Sequence, residues 1–186
     1  MNVLETRLPG VLLVEAKAFH DDRGYFFESW SEDRYRSHGI DTRFVQDNVS
    51  FSRRGTLRGL HYQNPSGQAK LVSVLQGTVF DVAVDLRVDM PTFGQWVGVE
   101  LSGGDSRQLL IPQGFAHGFV VLSETAVFSY KCSDYYAPQH ERTLRWDDPD
   151  VGVEWPVVDP LLSAKDADAP LLRQIPREHL FARTSY

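Results

Sequence analysis

Leu71-Val-Ser-Val-Leu75 and Val79-Phe-Asp-Val-Ala-Val-Asp-Leu86 are two apolar, β-branched runs divided by a short turn containing Gln76-Gly77. Residues of this kind suit strands, and the turn between them predicts a hairpin. Side chains alternate along a strand, so Phe80, Val82, Val84 and Leu86 share one face and Val79, Asp81, Ala83 and Asp85 the other. The first face reads as core and the second as roomy and acidic. Working outward, further strands are expected at 10–17, 25–30, 43–51, 95–101, 109–112, 117–122 and 126–134, punctuated by turn signals such as Ser102-Gly-Gly-Asp105 and Met90-Pro91. Many short strands with frequent Gly and Pro predict an all-β sandwich or barrel. Helix is sparse. Ser31 with Glu32 and Asp33, ended by Gly39, predicts one short capped helix, and Ser163-Ala-Lys-Asp166 has the capping-box form of a second. Pro156, Pro160, Pro170 and Pro176 then break the chain into a tail expected to lie over the domain.

The 186 residues argue for a single domain, 1–186, with a sizeable core. Hydrophobic residues at 42% and charged ones at 24% are close to globular averages. With 19 Lys+Arg against 25 Asp+Glu the net charge is -6, a poor match for a nucleic-acid backbone. Cys132 is the only cysteine, which excludes an internal disulfide, and Glu5 stands where a signal peptide needs a basic start and an apolar centre. The apolar runs fall far short of the ~20 residues of a spanning helix. A cytosolic protein without a membrane segment is expected.

Two segments resemble the paired signatures of the cupin jelly-roll barrels: Gly55-Thr-Leu-Arg-Gly-Leu-His61-Tyr-Gln63 with Lys70 beyond it, and Pro112-Gln-Gly114-Phe-Ala-His117. In metal-binding cupins two histidines one residue apart and a glutamate share an ion, because alternate strand residues point inward together. Here Gln63 replaces the second histidine and Lys70 stands near the glutamate's place. A cation repels a divalent ion, and His61 and His117 alone make half a ligand set. No metal site is expected.

What remains suits organic acid–base work. His61 offers an imidazole, which exchanges protons near neutral pH. A lone strand histidine is more often simply hydrogen-bonded, but Arg58, His61 and Lys70 on one strand pair favour chemistry. Lys70 can stabilise negative charge on a keto oxygen, although by itself it also reads as a solvated strand-end lysine.

The resemblance goes further than a fold. The runs Asp22-Arg-Gly-Tyr-Phe-Phe-Glu28, Phe44-Val-Gln-Asp-Asn48, Leu57-Arg-Gly-Leu-His-Tyr-Gln63, Phe80-Asp-Val-Ala-Val-Asp-Leu-Arg87, Pro91-Thr-Phe-Gly-Gln-Trp-Val97, Ile111-Pro-Gln-Gly-Phe-Ala-His-Gly-Phe119, Tyr130-Lys-Cys-Ser-Asp-Tyr-Tyr-Ala-Pro138 and Leu162-Ser-Ala-Lys-Asp166 resemble, in order, the dTDP-4-dehydrorhamnose 3,5-epimerases. That resemblance implies a cofactor-independent isomerase of dTDP-L-rhamnose biosynthesis, acting on a dTDP-linked 4-keto-6-deoxyhexose as a homodimer. It implies inversion at carbons 3 and 5, with relatives in antibiotic-sugar pathways inverting only one. Both carbons are α to the ketone, so their protons are removable if the enolate is stabilised. The resemblance makes His61 the base, Asp166 its orienting carboxylate, Lys70 the enolate holder and Tyr130 the acid on the opposite face. It assigns substrate binding to Arg23, Glu28, Gln46, Asp47, Asn48, Arg58, Lys70, His117, Glu141 and Lys165, with Tyr136 stacked on the thymine. Read from the residues alone, Asp166 is equally the last member of a capping box, Tyr130 a half-buried strand aromatic, and Arg23 and Glu28 a solvated salt bridge. Asp81 and Asp85 stay rival partners for His61.

Overall fold

The computed structural model describes residues 1–182 and contains two stacked antiparallel sheets. One holds six strands in the order β1 (Asn2–Glu5), β2 (Leu12–Glu15), β10 (Arg107–Ile111), β7 (Lys70–Gln76), β12 (Thr125–Cys132) and β5 (Gln46–Arg53). The other holds five, β13 (Glu141–Thr143), β6 (Leu57–Gln63), β11 (Phe115–Val121), β8 (Thr78–Asp85) and β9 (Trp96–Ser102). A separate ribbon pairs β3 (Ala18–Asp21) with β4 (Gly24–Phe27). From β5 to β8, and again from β9 to β13, the chain changes sheet at every connection. This is the jelly-roll sandwich of the cupins.

The expected hairpin across Gln76-Gly77 does not form. β7 lies between β10 and β12, while β8 lies between β11 and β9 in the facing sheet. Gly77 is where the chain crosses over, at φ +83, with so little room that a Cβ there would stand 2.1 Å from the Thr125 carbonyl oxygen. A tight turn between two apolar strands specifies a reversal, but not whether the strands pair edge to edge or face each other. Here both are apolar on two sides, and each is flanked by long-range partners.

Neither face of β8 is roomy. Val79 and Ala83 point between the sheets, into a core shared with Val72, Leu109, Phe119 and Phe128. Asp81 and Asp85 share that inner face fully buried, Asp81 bonded to His117 and Asp85 to Arg87. The opposite face, Val82, Val84 and Leu86, packs with Leu60 under Leu144, Val151 and Ile175 of the C-terminal segment. Each of the fully buried chains among them, Leu60, Val82, Val84, Leu86 and Leu144, contributes roughly 1.5–3 kcal/mol relative to exposure. The tail therefore covers the domain as expected, although its last residues, 183–186, lie outside those described. A third cluster seats helix α1 (Glu32–Ser37) through Tyr35 against Val14, Leu71 and Leu110 on the outside of the six-stranded sheet. Helix α2 (Ala164–Ala167) is capped by Ser163, whose hydroxyl accepts from the Asp166 N–H.

Candidate active site

Between the sheets, at the end where β5, β7 and β12 face β6 and β13, lies a cavity of about 330 Å³. Strand alternation decides what lines it. Gln46 and Asn48 of β5, Lys70 of β7, and Tyr130 and Cys132 of β12 are cross-strand neighbours on one wall. His61 and Gln63 of β6, with Glu141 of β13 opposite Gln63, belong to the other. His61 and Tyr130 thus stand on opposite walls. Cys132 and Gln68 line the cavity but are not among the site residues expected from the sequence. The position of Cys132, two residues past Tyr130 on one strand, was a readable signal; Gln68 sits in a loop and gave none.

Helix α2 brings Asp166, 2% exposed, up to His61, with Oδ1 2.6 Å from the imidazole Nε2. The Ser163 cap satisfies the helix N-terminus through its own hydroxyl, which leaves the Asp166 carboxylate free for the histidine. Burial pushes the Asp166 carboxyl upward, but the hydrogen bond and charge of His61, helped by Ser163 and Lys165, outweigh it and hold the group below the usual range. An ionised Asp166 accepts a hydrogen bond from Nε2–H, so the nitrogen left to take a proton is Nδ1. The rivals are committed elsewhere: Asp81 Oδ2 lies 2.9 Å from His117 Nε2, and Asp85 is paired with Arg87.

Lys70 is partly buried, its Nζ 5.9 Å from the centre of the Tyr130 ring. Desolvation lowers its ammonium from the ordinary lysine value, against the opposing pull of Cys132, Asp81 and Glu141. Desolvation also raises the Tyr130 phenol, which keeps it protonated. At the cavity mouth the half-exposed Tyr136 donates its hydroxyl to Glu141, whose other oxygen takes Lys165 at 2.8 Å.

The structure gathers Gln46, Asn48, His61, Lys70, Tyr130, Tyr136 and Glu141 around one space, with Asp166 and Lys165 directly behind. His117, 6% exposed, is turned to Asp81 and stacked on Phe128. Arg58 is exposed further along β6, its Nε 3.0 Å from Ser52 Oγ, and Asp47 faces outward to Lys131. Arg23, bonded to Asp21, and Glu28, bonded to Arg34, lie on or beside the β3–β4 ribbon and do not line this cavity. Among the described residues no three His, Cys, Asp or Glu side chains are grouped as metal ligands.

An imidazole backed by a carboxylate, a cation, and a protonated phenol across the gap can take a proton from carbon on one face and return one on the other, the chemistry of an epimerase acting beside a carbonyl. Comparison with known proteins gives the same class. The family model for dTDP-4-dehydrorhamnose 3,5-epimerase matches residues 5–174. The dTDP-4-dehydrorhamnose 3,5-epimerase of Salmonella typhimurium (strain LT2) is 54% identical over 177 residues, covering 94% of this chain and 97% of that protein. A crystal structure of dTDP-6-deoxy-D-glucose-3,5-epimerase from Legionella pneumophila, in complex with dTDP-4-keto-L-rhamnose, is 52% identical with a TM-score of 0.96, covering 99% of each chain. A 3'-monoepimerase from Streptomyces bikiniensis, in complex with dTDP-quinovose, shares the fold at 35% identity and a TM-score of 0.89, covering 96% of this chain and 92% of that one. The chain belongs to the dTDP-4-dehydrorhamnose 3,5-epimerase family, and its reaction class is that of an isomerase.

Proposed function

We propose that this chain converts dTDP-4-dehydro-6-deoxy-D-glucose to dTDP-4-dehydro-L-rhamnose, in dTDP-L-rhamnose biosynthesis, with His61 as base and Tyr130 as acid. The observation that carries this reading is the 2.6 Å His61–Asp166 contact on the wall facing Tyr130. At each carbon next to the ketone, His61 Nδ1 takes the proton and the C–H electron pair moves into the enolate. The oxygen at carbon 4 gains the negative charge, which the Lys70 ammonium holds. Asp166 stabilises the imidazolium. Tyr130 then gives its hydroxyl proton to the same carbon from the opposite face and is reprotonated by solvent, while His61 releases its proton. Gln46 and Asn48 read the edge of the thymine, Tyr136 stacks on it, and Arg58 and Lys165 face the diphosphate. No cofactor enters these steps. Proton NMR of the product is expected to show both carbons inverted; inversion at one carbon makes the chain a monoepimerase instead.

The lysine's role predicts a pH dependence. The ammonium is the active form, and its folded value is lowered, so the rate should fall on the alkaline side before an ordinary lysine titrates. Tyr130 and Cys132 are both shifted upward by burial and do not produce that limb. In Lys70→Arg, whose charge persists, the limb of kcat/KM should move to higher pH. A limb unchanged in that variant removes Lys70 from the role.

The β3–β4 ribbon pairs with neither main sheet and exposes Phe19, Tyr25 and Phe26, the last at 70%. Val49 and Phe51 are exposed on the outward face of the edge strand β5. Exposed strand edges and apolar patches of this kind are covered in soluble proteins. We therefore propose a homodimer in which the ribbon crosses to the partner and brings Arg23 and Glu28 to its nucleotide. Light scattering at micromolar concentration should return a dimer mass, and a monomer mass excludes the shared site. The described residues include no helix long and apolar enough to cross a membrane, and the cytosol is the proposed location.

A further inference from the structure

Gln63 stands two residues beyond His61 on the same strand face, and nothing in the steps above uses it. Its side chain is 4% exposed, and both ends of its amide are engaged. Oε1 accepts the Ala137 N–H at 2.8 Å, while Nε2 donates to the Ser66 carbonyl at 2.9 Å and the Tyr135 carbonyl at 3.3 Å. The Tyr136 N–H in turn donates to Gln46 Oε1 at 3.0 Å. The main chain before, at and after Tyr136 is thus fastened by two glutamines, Gln63 from the five-stranded sheet and Gln46 from the six-stranded one. Tyr136 itself keeps its ring half exposed at the cavity mouth.

We propose that Gln63 is a positioning residue: it clasps the 135–137 segment to the strand that carries the catalytic histidine, so that the tyrosine platform for the nucleotide base stands in fixed register with the base that removes the proton. This rests on the assignment of Tyr136 as that platform. The donor pattern is demanding. Two carbonyl oxygens require donors and one N–H requires an acceptor, which an amide meets completely and a carboxylate does not. With no free donor to offer a substrate, Gln63 acts through the loop it holds.

The test is dTDP affinity by calorimetry, with steady-state kinetics and melting temperature. In Gln63→Ala the Kd for dTDP and the KM for the sugar nucleotide should each rise about tenfold, because the 135–137 segment loses both of its hydrogen bonds to Gln63. kcat should change much less, because His61, Lys70 and Tyr130 keep their own supports. Gln63→Glu supplies a readout that packing alone does not move. At neutral pH its carboxylate faces two carbonyl oxygens and the clasp opens; once protonated it again offers one donor and one acceptor. Its Kd relative to the parent at the same pH should therefore recover between about pH 8 and pH 5, the range in which a buried glutamate titrates. A ratio that stays flat with pH overturns the clasp, and this arm decides the matter if Gln63→Ala does not fold. Tyr136→Ala separates the two readings. If it weakens dTDP binding while Gln63→Ala leaves the Kd within about twofold of the parent, the clasp alone is wrong. If neither variant affects binding, the platform is wrong and the clasp falls with it.

Discussion

Replacing His61 by alanine is expected to leave a folded protein that still binds dTDP but has lost epimerisation by a factor of about 10²–10⁴, the usual consequence of removing a general base. The side chain lines a cavity and is not part of any of the three apolar clusters, so its removal opens no hole in the core. Activity within about tenfold of the parent contradicts the assignment. Asp166→Asn should cost less, since the ring loses the charge that steadies its protonated form but keeps its proton acceptor. Asp81→Asn is the informative control. Its carboxylate touches His117 and not His61, so the variant should leave the His61 reaction in place. If Asp81→Asn reproduces the His61→Ala loss while Asp166→Asn is silent, the wrong carboxylate has been chosen.

Tyr130→Phe is expected to separate two events that the parent couples. Only a hydroxyl is lost from a ring that packs beside Phe128, 6.0 Å between centroids, so fold and nucleotide affinity should persist. Proton removal on the His61 wall continues, and substrate protons still exchange with deuterated solvent. Return of a proton from the opposite face fails, so little inverted sugar forms. A tyrosine that serves packing alone would lower stability and depress exchange and inversion together. Inversion at the parent's rate means that water or Lys70 supplies the proton instead.

The strand that carries Tyr130 is legible from the local pattern of 126–134, whereas the strand that carries His61 is read only through the resemblance of Gly55–Gln63 to a cupin signature. The partner of His61 was not decided by that reasoning. Asp166 lies 105 residues away and reaches His61 only because the C-terminal segment packs over the outside of the five-stranded sheet. From residue types alone Asp81 and Asp85 fit as well, and what removes them is the pairing with His117 and Arg87 across β8, β11 and the segment that follows β8. The Gln76-Gly77 turn joins strands of different sheets for a related reason. A glycine turn encodes a change of direction, whereas the choice between pairing and facing depends on β10, β12 and β11, distant in sequence, and on β9, which follows β8 and takes one of its edges. Arg23 and Glu28 stand away from this chain's cavity, the placement expected if the apolar strands around Tyr25–Glu28 cross to a neighbouring copy.

The decisive measurement is proton NMR of dTDP-4-keto-6-deoxyglucose incubated with the protein in deuterated water, counting which sugar protons wash out. If His61 removes both protons next to the ketone, the signals of carbons 3 and 5 disappear as the inverted product forms, and neither disappears with His61→Ala. Washout at both carbons that persists undiminished in His61→Ala contradicts the mechanism.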